Sequence, residues 1–105
     1  MPVGLPDQVS AHTDELARFS KEHHIRRLSL FGSALRNDFG PDSDIDVLVQ
    51  FEPGRVPGLI EFARLEEDLE RILGRRTDLV TPASLSRYFR DRVIAQALPI
   101  YDRAG

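Results

Sequence analysis

The chain has no cysteine and no tryptophan, and only one methionine. Without cysteine, disulfides and thiolate metal sites are excluded, which suits a reducing compartment. Long apolar runs are also missing: none approaches the ~20 residues that would cross a bilayer. The first seven residues, Met-Pro-Val-Gly-Leu-Pro-Asp, lack the charged and apolar regions of a signal peptide. The expected setting is therefore cytoplasmic, with no membrane contact. Positive charge is in short supply as well: 14 Lys and Arg stand against 17 Asp and Glu, a formal net charge of −3. That argues against generic nucleic-acid binding, which needs a basic surface to displace counterions. Local basic groups occur at Arg75 and Arg76 and along Arg87, Arg90 and Arg92. They read most simply as solvated helix ends and faces. No internal repeat or low-complexity segment is present.

What is present is one small domain, residues 1–105, with an adequate but thin core. Pro6 and Asp7 open an expected first helix, capped by Asp7 or Ser10, with Val9, Leu16 and Phe19 on one face. It frays near His23 and His24. Residues 26–31 read as a strand, broken by Gly32 and Ser33. A polar loop with Gly40 and Pro41 leads to a second strand, residues 44–51. There Ile45, Val47 and Val49 alternate with Asp44, Asp46, Leu48 and Gln50, so the first set is expected in the core. Residues 59–73 carry Leu59, Phe62, Leu65, Leu69 and Ile72 at helical spacing, with Gly74 where a C-terminal cap belongs. Residues 77–80 form a short third strand stopped by Pro82. A last helix, residues 88–98, ends at Pro99, and Ile100 and Tyr101 follow as an edge strand. The expected fold class is α/β (α+β): a small mixed β-sheet flanked by helices. The strand order does not follow from the sequence.

The chemistry concentrates in residues 30–51. Asp44 and Asp46 are two apart on a strand, so both carboxylates share one face. Two carboxylates at ~4 Å repel by about 1 kcal/mol in water and about 4 kcal/mol at an effective dielectric of 20. A divalent cation offsets that, and Mg²⁺ favours one or two carboxylates plus waters and substrate phosphates. Two solvated aspartates at a strand mouth are the alternative. Gly32 and Ser33 leave the preceding strand with backbone N–H groups and a hydroxyl able to cradle phosphate. Arg36 either reaches a phosphate or is a solvated loop arginine. His12, His23 and His24 have no metal-ligand partner set and read as surface or helix-end residues.

Together these residues have the form G-S-x₁₀-D-x-D, in a strand–turn–strand context. This resembles the signature of the DNA polymerase β-like nucleotidyltransferase superfamily. The wider text narrows the resemblance. Ser29-Leu-Phe-Gly-Ser, Asp42-Ser-Asp-Ile-Asp-Val-Leu-Val-Gln-Phe51, the acidic helix and Thr77-Asp-Leu-Val80 are similar to the minimal nucleotidyltransferases, the MNT antitoxins paired with helical HEPN toxins. The resemblance implies a polymerase β palm-like fold. It implies that Gly32 and Ser33 hold the triphosphate, beside which Arg36 stays a candidate phosphate contact, and that Asp44 and Asp46 bind Mg²⁺, two ions in all. A third carboxylate is expected on a later strand; Asp78 fits best, with Glu52 and Glu61 as weaker alternatives. It also implies AMP transfer from ATP to a tyrosine of a HEPN toxin, within a hetero-oligomer. One departure stands out. The usual Arg-Ala-Arg-Gly after Gly-Ser is here Ala34-Leu35-Arg36-Asn37, which removes a positive charge and a glycine. Two other readings therefore stay open: a non-catalytic antitoxin acting by binding, and a transferase acting on a small molecule or RNA.

Overall fold

The computed structural model of the chain describes residues 7–32 and 44–103. Four strands form one mixed sheet: β1 (Ile25–Phe31), β2 (Ile45–Phe51), β3 (Thr77–Val80) and β4 (Leu98–Asp102). Their order is β3-β2-β1-β4, with β1 antiparallel to both β2 and β4, and β2 parallel to β3. Four helices accompany them: α1 (Asp7–Ser10), α2 (Thr13–Glu22), α3 (Leu59–Leu73) and α4 (Arg90–Gln96). Helix α3 is the crossover between the parallel strands β2 and β3, the connection that parallel pairing requires.

The core lies between one sheet face and helices α2 and α3. Ile45, Val47 and Val49 are fully buried there, as their alternation predicts. Leu28 and Leu30 of β1 join them, paired across the ladder with Val49 and Val47. Leu16 and Phe19 come from α2, and Leu65, Leu69 and Leu73 from α3. Each such aliphatic side chain, fully buried, contributes about 1.5–3 kcal/mol. Leu48 points to the opposite face yet is buried too, at 1% exposure. The 3-10 turn Pro82–Ser84 packs against β2 on the way to α4.

Five expectations are corrected. The first helix is two: a turn at Ala11 and His12 separates α1 from α2, and His12, not Asp7 or Ser10, stands at the N-cap of α2. Its side chain makes no capping bond to the backbone; its Nδ1 instead lies 2.9 Å from Glu15 Oε1. Val9 is nevertheless fully buried in the core. Leu59 is 90% exposed, although it continues the apolar periodicity of α3; the first turn of that helix lies beyond the core. The last helix is shorter, Arg90–Gln96, and Pro99 falls inside β4 rather than at a helix end. An edge strand accepts proline because one row of its N–H groups has no ladder partner. The α3 cap holds as expected: Gly74 is left-handed at φ 66° and donates its N–H to the Glu70 carbonyl at 2.8 Å. His23 and His24 close α2, and His24 takes the left-handed conformation, φ 57°, that usually falls to glycine.

Candidate active site

The end of β1 and the starts of β2 and β3 meet at one edge of the sheet. Phe31 pairs with Asp46 in the antiparallel ladder, and Asp46 pairs with Asp78 in the parallel one. Strands in a sheet run about 4.8 Å apart, so register partners carry their side chains side by side on one face. That face is the one away from α2 and α3. Thr77 and Leu79, on either side of Asp78, are buried toward the helices, while Asp78 itself is exposed. Asp46 is half-buried between the buried Ile45 and Val47. Asp44 sits immediately before β2, exposed, two residues from Asp46. The adjoining N–H of Ile45 donates to the Arg76 carbonyl at 2.9 Å, which ties this corner to the start of β3.

Gly32 closes the site from the β1 side. It has a left-handed φ of 69°, and a Cβ added there would run into Asp46 Oδ2 and stand 3.2 Å from Asp46 Cγ. Glycine is thus required twice over: for the backbone conformation and for the space the aspartate occupies. Three of the expected residues, Gly32, Asp46 and Asp78, come together directly, with Asp44 at the mouth. Ser33 and Arg36 lie outside the described residues. Among the described residues, no group of three or more His, Asp or Glu is assembled so as to hold a metal ion. The donor set nevertheless suits Mg²⁺: two or three hard carboxylates on adjacent strands, leaving room for water and phosphate oxygens. The alternatives for the third carboxylate lie elsewhere. Glu52 follows the far end of β2, bound to Arg103 Nη1 at 2.7 Å, and Glu61 is in the first turn of α3.

Two residues outside the motif also bear on this site. Glu70 Oε1 accepts the Thr77 N–H at 3.1 Å, and Glu66 Oε2 accepts the Leu79 N–H at 2.9 Å. In the sequence the acids of α3 signal only a favourable helix dipole. The usable clue is that Glu66 and Glu70 follow Leu65 and Leu69 directly, at the border of the buried stripe.

A mixed sheet that sets aspartates of neighbouring strands beside a glycine turn is the arrangement of a nucleotidyltransferase, and the sequence profile of the nucleotidyltransferase domain family matches residues 12–101. The protein adenylyltransferase MntA of Thermococcus cleftensis is 40% identical over 91 residues, 86% of each chain. A solved structure described as a minimal nucleotidyltransferase superposes with a TM-score of 0.73 at 35% identity, covering 89% of this chain and 93% of the other. The chain belongs to the minimal nucleotidyltransferase family. The fold also recurs, at 21% identity and a TM-score of 0.65, in the complex of a tri-AMPylated HEPN toxin of Shewanella oneidensis with its MNT antitoxin, over 90% of this chain and 72% of the other.

Proposed function

We propose that the protein is an antitoxin that transfers AMP from ATP to a tyrosine of a partner HEPN toxin in the cytoplasm. The carrying observation is the packing of Gly32 against the Asp46 carboxylate, with Asp78 in register beside it. Two relatives support the chemistry and the partner. MntA is a protein adenylyltransferase, and the Shewanella antitoxin of the same fold is bound to an AMPylated HEPN toxin. Among the described residues no helix is long and apolar enough to cross a membrane.

The parts then take these roles. Asp44, Asp46 and Asp78 would hold Mg²⁺, which would supply positive charge to offset that of the triphosphate and of the entering and leaving oxygens. Gly32 lets the end of β1 come close to the Asp46 carboxylate, and Ser33 and Arg36 are assigned to the phosphates. Asp78 orients the acceptor hydroxyl or takes its proton. The hydroxyl oxygen bonds to the α-phosphorus as the bond to the bridging oxygen breaks, and pyrophosphate leaves. Positioning and charge supply the rate enhancement; no covalent intermediate is needed. The acceptor surface comes from the partner.

The test is incubation with the neighbouring-gene product, Mg²⁺ and α-labelled ATP, beside the Asp44→Ala, Asp46→Ala variant. Label on the partner that vanishes with the variant supports AMP transfer. A stable complex without label favours the second reading, neutralisation by binding, for which the altered Ala34-Leu35-Arg36-Asn37 run speaks. Label on RNA alone would overturn both.

A further inference from the structure

Among the described residues, strand β3 is an edge strand, hydrogen-bonded to β2 on one side only. In a strand, alternate N–H groups point to alternate sides. The outer ones here, on Thr77 and Leu79, flank Asp78, and each is taken by a carboxylate of α3: Glu70 and Glu66 respectively. The geometry is matched. Residues four apart on a helix rise about 6 Å, and residues two apart on a strand span about 6.6 Å. The direction matches too, since the later glutamate holds the earlier strand residue, as an antiparallel helix and strand require. Both glutamates are half-buried, and both lie beside core leucines, Leu65 and Leu69, that fix α3 on the sheet.

We propose that Glu66 and Glu70 are positioning residues for Asp78: their paired bonds to the β3 backbone hold the register that sets Asp78 beside Asp46. The alternative arrangements are discrete. A slip of β3 by one residue would turn Asp78 into the core and Leu79 out. A slip by two would place Arg76 or Val80, neither of which has a carboxylate, opposite Asp46. The buried side chains of Thr77 and Leu79 resist the first slip, but β3 is only four residues long and has a ladder on one side. The two carboxylates supply the second. This inference rests on the reading of Asp78 as a site carboxylate.

The experiment compares wild type, Glu66→Ala with Glu70→Ala, Glu66→Gln with Glu70→Gln, and Asp78→Asn in the full chain. Glutamine keeps the accepting oxygen, so it should rescue what alanine loses. The first readout uses no ATP and no acceptor: Mn²⁺ is titrated while paramagnetic broadening of the Asp46 and Asp78 amide signals is followed, with exchange of the Thr77 and Leu79 amides measured alongside. The double alanine variant should exchange those two amides faster and need about 10-fold more Mn²⁺ for half-broadening, the order of loss expected when a supporting contact of a metal ligand is removed. The double glutamine variant should lie within about 3-fold of wild type, a contact only slightly disturbed. In the AMP-transfer assay the alanine pair should lower kcat more than it raises KM for ATP. Faster exchange with unchanged Mn²⁺ titration and kcat would overturn the proposal and leave the glutamates as edge caps. Should the double alanine variant not fold, Glu66→Ala alone gives the same comparison, and a wild-type titration there would overturn it equally. Asp78→Asn separates the two readings. Wild-type Mn²⁺ binding and transfer in Asp78→Asn would remove Asp78 from the site, whereas its loss there with a wild-type alanine pair would sink only the positioning role.

Discussion

The carboxylate of Asp46 occupies the space that a side chain at Gly32 would need. Gly74 offers an internal comparison. Its φ is 66°, nearly that of Gly32 at 69°, but a Cβ there would meet nothing within 4 Å. The conformational strain of alanine is therefore the same at both sites, about 1–2 kcal/mol, and only Gly32 adds a collision with a site residue.

Gly32→Ala and Gly74→Ala should lower the melting temperature by similar amounts, since strain dominates both. AMP transfer should fall about 100-fold in Gly32→Ala, the scale of a 1 Å misplacement in a reacting centre. It should stay near wild type in Gly74→Ala. Thermal melts and label transfer on the two variants, run together, check this. Equal losses of activity would remove Gly32 from the site.

Divalent cation should stabilise the folded chain without any nucleotide. Neighbouring carboxylates repel, and an ion that binds only the folded state adds RT ln(1 + [L]/Kd), about 1.4 kcal/mol at ten times Kd. For a domain of this size that raises the melting temperature by about 5–10 °C. The same Mg²⁺ should leave Asp46→Asn unmoved. A wild-type melt indifferent to millimolar Mg²⁺ and Mn²⁺ would mean that the metal enters only with ATP, or not at all.

The sequence carried the site further than it carried the sheet. Asp44 and Asp46 announce themselves because period-two alternation puts them opposite Ile45, Val47 and Val49, and the buried set is found where alternation predicts. Helix α3 is legible end to end because its apolar repeat and Gly74 agree. Its first turn is the exception. Periodicity describes a stripe along a helix but not where the core beneath it ends, so Leu59 repeats in phase and is nevertheless exposed. The pairing of Asp46 with Asp78, and the bonds from Glu66 and Glu70, join residues whose distance in sequence says nothing of their register. Strand β4 shows the same limit: Pro99 reads as a helix stop, but an edge position lets it sit inside the strand.

Leu59 and Leu69 should part company on truncation. Leu69 is fully buried in the core, so Leu69→Ala should cost about 2–5 kcal/mol. Leu59→Ser, at 90% exposure, should change stability by less than about 0.5 kcal/mol. Denaturant titration of the isolated chain measures both. A large loss in Leu59→Ser would mean that the first turn of α3 is covered in the protein in solution.

Catalysis and occlusion make opposite forecasts for one variant. Asp46→Asn keeps the size and nearly the shape of the side chain, so it should fold and hold whatever partner surface the fold presents. It removes the charge that would bind metal, and loss of such electrostatic stabilisation should reduce AMP transfer about 10²–10³-fold. Co-expression with the proposed partner toxin then decides which activity protects the cell. If AMP transfer neutralises the toxin, growth should collapse with Asp46→Asn while pull-down of the partner is unchanged. If occlusion neutralises it, growth should persist. The ratio of toxin to antitoxin sharpens the comparison: a catalyst at a tenth of the toxin's amount still protects, because each molecule turns over, whereas a binder must match its target nearly one for one. Protection by wild type at that sub-stoichiometric dose, lost in Asp46→Asn, would tie the Gly32–Asp46–Asp78 corner to the proposed antitoxin function.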